Sequence, residues 1–151
     1  FFSKSILQAS KYFELEKANE IKLKVNSFEN WRKFSNNSIS HRDKLIKLVN
    51  SMDNKKIVGF GSSARSQTLI NFCNFNVDNI DCIIDNNPLK QNLYAPGSSI
   101  PIVDLKTGLS SKPDAIFVLA WNFRNEIVNE CKANGYNGKF IIPFPGNPQI
   151  I

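Results

Sequence analysis

Gly59-Phe60-Gly61-Ser62-Ser63-Ala64 places two glycines one residue apart, after an apolar run and before a segment of helical character. The spacing fits Gly-x-Gly-x-x-Gly/Ala, and the chemistry it offers is that of the backbone itself. Gly59 permits a tight turn, Gly61 lets a ligand approach the main chain, and Ala64 allows close packing of helix on strand. Unpaired amides in the first turn of a helix, with the helix dipole behind them, attract an anion. Ser62 and Ser63 add hydroxyls there, and Arg65 adds a fixed positive charge. A turn built only for packing is the competing explanation.

Other chemically capable residues fall at the ends of apolar runs. Asp85 closes Ile80–Asp85, near the roughly 20-residue spacing from Gly61 at which a carboxylate meets ribose hydroxyls. Capping of a loop is its other reading. Asn87, Lys90 and Gln91 follow it, and Trp121 and Asn122 follow the apolar run Ala115–Ala120. Trp121 can stack on a base or sugar, or pack on the next helix. Asn122 can bond an amide edge or hydroxyl, or cap that helix. His41, the one histidine, has no carboxylate or nucleophile beside it in a recognisable motif. It is expected half-buried or on a helix surface. The expected binding set is thus Gly59, Gly61, Ser62, Ser63, Arg65, Asp85, Asn87, Lys90, Gln91, Trp121 and Asn122, with no catalytic residue and no metal ligand.

The elements that must position these residues divide near Asn54. Residues 1–54 read as a helical lead-in. Ser5–Ile21 is one helix, with Ile6, Leu7, Tyr12, Phe13, Leu15 and Ala18 available for burial. Ser27 caps a second, whose stripe runs through Trp31, Phe34, Leu45, Leu48 and Met52. Asn36-Asn37-Ser38 is weak helix material, so a break with a restart at Ser40 is expected as one alternative. Residues 55–151 alternate between short apolar runs and helical stretches. Strands are predicted at Ile57–Phe60, Ile80–Asp85, Ile100–Val103, Ala115–Ala120 and Phe140–Pro143. Helices are predicted at Ala64–Phe75 and Arg124–Asn134, the latter stopped by Gly135. Such alternation implies an α/β fold with a parallel sheet flanked by helices. Ligands of open parallel sheets bind beyond the carboxyl ends of the strands, where the residues above converge.

Composition sets the outer bounds. The chain has 151 residues and a formal net charge of +6. Its lysines are dispersed, which argues against a nucleic-acid stripe and leaves two readings, a basic soluble surface or attraction to a small phosphorylated ligand. No run approaches the roughly 20 apolar residues of a membrane span, and no signal-peptide pattern opens the chain. Cys73, Cys82 and Cys131 are widely spaced and odd in number, which fits buried free thiols in a reducing cytoplasm better than disulfides or zinc. The only Met is Met52, so the sequence is expected to be an excerpt of a longer protein.

The stretches GFGSSARSQTLINF, IDCIIDNNPLKQNLYAPGSSIPI, PDAIFVLAWNF and GKFIIPFP together resemble the C-terminal domain of SAM-dependent sugar C-methyltransferases, from Lys56 to Pro145. The resemblance implies a Rossmann-like domain that helps hold a nucleotide-linked deoxysugar. It implies SAM bound in a separate middle domain, a zinc-binding region before that, and a Tyr/His acid–base pair also outside this segment. His41 does not match that histidine, so this chain alone is not expected to methylate. In the implied reaction a base removes a proton beside a 4-keto group, and the enolate carbon takes the methyl. This domain's share would be positioning. The family often has Lys-Gly-Asn after the turn; here Arg65-Ser66-Gln67 exchanges a point donor for a planar fork and narrows the helix start. Two other classes stay open on the residues alone: an NAD(P)-binding oxidoreductase domain, and a structural domain that binds nothing.

Overall fold

The computed structural model describes residues 11–52 and 54–151. They fall into two compact units divided between Ser40 and His41. In the first unit, α1 spans Lys11–Lys22 and has no buried residue, so Tyr12, Phe13 and Leu15 stay exposed. The predicted portion of this helix before Lys11, with Ile6 and Leu7, lies outside the described residues. Helix α2 spans Phe28–Asn50 without a break. Ser27 Oγ accepts from the Asn30 amide at 3.3 Å, as an N-cap does. At the expected weak point, Ser38 Oγ donates to the Phe34 carbonyl at 2.9 Å, a back-bond that leaves the helix continuous. None of the described helices is long and apolar enough to cross a membrane.

The second unit is a six-stranded sheet. Its strands are β1 (Ile57–Phe60), β2 (Cys82–Ile84), β3 (Ile102–Val103), β4 (Ala115–Val118), β5 (Lys139–Ile142) and β6 (Gln149–Ile150). They lie in the order β3-β2-β1-β4-β5-β6. The first five are parallel, and β6 pairs antiparallel with β5, Ile141 opposite Ile150. Between the strands run α3 (Ala64–Phe72), α4 (Leu105–Ser110), a 3-10 turn at Trp121–Phe123 and α5 (Arg124–Ala133). Helix α4 and strand β6 were not expected from the sequence. Six residues with a central glycine carry no helical period, and two residues after a proline-rich loop carry no strand period.

β1 and β4 are buried along their whole length, as central parallel strands must be. Their alternate residues feed two cores. Ile57, Ala115, Phe117 and Leu119 face one side, where Leu45 and Val49 of α2 and Leu69 and Ile70 of α3 cover them. Val58, Phe60, Ile116 and Val118 face the other, under Ile127 and Cys131 of α5 and Leu105 and Leu109 of α4. The last turns of α2 thus find the partner surface that their apolar stripe requires.

Two helices stop by the same device. After α3, Asn74 adopts φ 55°, and the Phe75 amide returns to the Ile70 carbonyl at 3.0 Å. After α5, Gly135 adopts φ 85°, and the Tyr136 amide returns to the Cys131 carbonyl at 3.0 Å. Both are left-handed caps that swing an aromatic ring, Phe75 or Tyr136, into the core. The first of them ends α3 at Phe72, three residues before the predicted Phe75. No atom lies within 4 Å of a Cβ added to Gly135. Gly135→Ala therefore meets backbone strain alone, and should cost about 1–2 kcal/mol in urea unfolding. An unchanged midpoint would show that this cap is not left-handed.

Candidate functional site

Parallel pairing brings the ends of β1, β2, β4 and β5 to one edge of the sheet, and the sequence-predicted residues collect there. Gly59 sits inside β1, not in the turn. A Cβ there would lie 2.7 Å from Leu119 Cδ1 and 3.2 Å from Ile83 Cγ1, so its small size serves the core. The turn itself begins at Gly61, with φ 96°. A Cβ on Gly61 would meet the Ala120 side chain. The space at the second glycine is therefore filled by the chain following β4. The Ala120 amide donates to the Phe60 carbonyl at 3.0 Å, and the Gly61 amide donates to the Ile84 carbonyl at 2.7 Å.

Asp85, just past β2, is only 8% exposed. Its Oδ2 accepts from the Ser62 amide at 2.7 Å and from Lys90 Nζ at 3.2 Å, while Oδ1 accepts from the Asn87 amide at 2.9 Å. Lys90 Nζ also donates to the Ser62 carbonyl at 2.8 Å. Gln91 Nε2 donates to the Asp85 carbonyl at 3.0 Å, and Asn87 Oδ1 accepts from the Leu89 amide at 3.0 Å. Asp85, Asn87, Lys90 and Gln91 thus form one network that binds the β2 loop to the glycine turn. A buried carboxylate needs such partners, and it has them.

The serines cap and brace α3. Ser63 is the N-cap, its Oγ accepting from the Ser66 amide at 3.2 Å. Ser66, fully buried, donates its hydroxyl to the Leu119 carbonyl at 3.3 Å and so fastens the start of α3 to the end of β4. Its importance was visible in the sequence only as a departure from glycine. Ser62 Oγ accepts from Gln67 Nε2 at 2.9 Å. The amides of Ser63, Ala64 and Arg65 have no partner among the described residues.

Beside those amides runs a row of stacked groups. The exposed Arg65 holds its guanidinium carbon 5.7 Å from the centre of the Trp121 ring, a cation–π distance. Trp121 leans on Phe144 at 4.8 Å, and Phe144 stacks flat on His41 at 4.3 Å and 9°. Trp121 and Phe144 come from the ends of β4 and β5, and His41 from α2. Asn122 is exposed beside Trp121 and does not cap α5, whose N-cap is Phe123. A recess of about 40 Å³ lies between Ser63, Arg65, Leu119, Ala120, Trp121 and Asn122. It is no larger than a water or two, so any ligand here lies on the rim. Roomier hollows of about 290 Å³ (around Pro113 and Tyr136) and about 150 Å³ (around Ile57 and Asn79) open at the amino ends of the strands.

Burial pushes the thiols up, Cys73 and Cys82 to about 11 and Cys131 to about 12. Neutral thiols neither attack nor ligate metal readily. All three are free, and Cys73 and Cys131 are buried. His41 is half-buried, and burial, helped by the nearby Lys44 charge, lowers its pKa below 6.5 while the Pro143 carbonyl opposes the shift. Its Nε2 is buried without a hydrogen-bond partner.

A five-stranded parallel core in the order 3-2-1-4-5, with a glycine turn at the carboxyl edge, defines a Rossmann-like domain. The chain belongs to the C-methyltransferase C-terminal domain family, which it matches over residues 5–145. It is similar to the C-methyltransferase NovU of Streptomyces niveus, at 32% identity over 124 residues. That alignment takes in 80% of this chain and 29% of the relative, so the chain spans under a third of the length of that protein.

Two outcomes follow from the titrating groups. At pH 8 a thiol reagent should modify the folded chain far more slowly than the urea-unfolded chain; equal rates would place the cysteines outside the core. His41 has its folded pKa below the unfolded value, so the stability it contributes is complete above about pH 6.5 and is lost as pH falls below it. His41→Phe keeps a ring against Phe144 and removes the only histidine. Its melting temperature should fall less than the unmodified chain's between pH 7 and pH 5, and parallel curves would contradict the assignment.

Proposed function

We propose that this chain is the C-terminal domain of a SAM-dependent C-methyltransferase of the cytoplasm, acting on a nucleotide-linked deoxysugar, and that its work is to hold that substrate. The observation that carries this reading is the pairing of three unpartnered amides, at Ser63, Ala64 and Arg65, with the Arg65 guanidinium poised over Trp121. Amides at the start of a helix and a planar cation are what a phosphate receives well. Trp121 and Asn122 extend the same rim with a flat apolar face and an amide, suited to a base or sugar. Gly61, Ser62, Asp85, Asn87, Lys90 and Gln91 support this rim by fixing the turn behind it. Gly59 stands further back, in the core.

The chain's own residues fit substrate holding and not the methyl donor. Ala120 fills the approach to Gly61, and Asp85 occupies the Ser62 amide, which supports a seat for SAM elsewhere. In this reading SAM and the acid–base residues belong to the rest of the protein, and that SAM-binding domain is this domain's partner. Proton removal and methyl transfer take place there, while this domain fixes the distance and angle of the sugar by gripping its phosphorylated end.

Calorimetric titration of the chain with a dTDP-linked deoxysugar tests the proposal. Saturable binding is expected, weakened about tenfold or more in Arg65→Ala, the worth of a charge-assisted hydrogen bond. Equal affinity in the variant would remove Arg65 from the site. Absence of binding to the unmodified chain would leave a domain that only supports its neighbour.

A further inference from the structure

The geometry points to Asp85 as the resident anion of the glycine turn, a residue that determines specificity by closing the turn to the pyrophosphate of a dinucleotide. In a dinucleotide-binding turn, the second glycine admits the pyrophosphate to the backbone, and the carboxylate after the second strand bonds ribose. Here both tasks are reassigned within the molecule. Asp85 Oδ2 lies 2.7 Å from the Ser62 amide, the group that an incoming phosphate would use first. Lys90, the nearest cation, is spent on the same carboxylate at 3.2 Å and on the Ser62 carbonyl at 2.8 Å. With its side chain 11% exposed and also bonded to the Asn87 amide, Asp85 is not turned out toward a ribose.

Two further contacts hold the closure. The Ala120 side chain abuts Gly61 from the β4 side. On the β2 side, Asn86 Nδ2 donates to both oxygens of Glu130 on α5, at 2.9 and 3.1 Å. The loop carrying Asp85 is thus also fastened to α5. A phosphate is excluded from the Ser62 amide by charge as well as by space. It is confined to the other side of the turn, at the Ser63–Arg65 amides. This assignment concerns the turn alone and does not rest on the identity of the substrate proposed above.

The test uses the full chain, inorganic pyrophosphate and NADH. In the unmodified chain the Ser62 amide resonance should stay still through both titrations, and NADH should not bind saturably. Asp85→Asn keeps the shape of the side chain but removes its charge, which weakens its hold on the Ser62 amide and releases Lys90. It should bind pyrophosphate about tenfold more tightly, with the Ser62 resonance now moving. Adding Lys90→Ala should abolish the gain. Asp81→Asn removes the same charge at the opposite end of β2 and should give no gain. Saturable NADH binding or movement of the Ser62 resonance in the unmodified chain overturns the assignment whether or not the variants fold. A folded Asp85→Asn with unchanged pyrophosphate affinity, or a gain equalled by Asp81→Asn, overturns it as well. Failure of the sugar-nucleotide reading would appear instead as Ser63–Arg65 resonances indifferent to that ligand, with Ser62 unaffected.

Discussion

A carboxylate inside a protein must be answered by donors, and the answer given to Asp85 organises the carboxyl edge of this sheet. The Ser62 amide, the Asn87 amide and Lys90 converge on it, so the ends of β1 and β2 become one rigid piece. From β1 the Phe60 carbonyl receives the Ala120 amide, and Ser66 reaches across to the Leu119 carbonyl. The end of β4 therefore joins the same assembly, and Trp121 is carried to its place next to Arg65.

Much of this was legible in the sequence, because the signals were local. β1 could be read to the residue, since an all-apolar run ending in Gly-x-Gly has few other uses. The start of α3 at Ala64 was equally plain from the third position of that motif. The order of elements followed from the change between two-residue and helical periods. What escaped was set by partners distant in the chain. Phe75 looks like part of α3 on pattern alone, but Asn74 takes a left-handed conformation and Phe75 leaves the helix to fill the core. Asn36 to Ser38 are poor helix formers, and α2 nevertheless runs through them, propensity being a weak prior.

The candidate site shows the same division more sharply. Residue types and spacing placed most of the expected side chains at one edge of the sheet. They did not reveal which groups the protein would use on itself. Gly59 and Gly61 read alike in a motif, yet one is small for Leu119 and the other for Ala120. Asp85 and Lys90 read as binding groups, and their first partners are each other and the turn. Arg65 instead rests its guanidinium over the Trp121 indole, and among the described residues no carboxylate pairs with it.

The two borders of the sheet carry their own consequence. Beyond β3, residues Asn92 to Ala95 fold back antiparallel, with the Ile102 amide donating to the Leu93 carbonyl at 2.8 Å. Beyond β5, the residues around β6 do the same, and Phe140 and Ile151 exchange amide–carbonyl bonds at 2.9 Å in both directions. A parallel sheet this apolar would otherwise present raw strand margins on which a second molecule could polymerise. Short irregular hems on either side leave a second molecule little straight margin to extend.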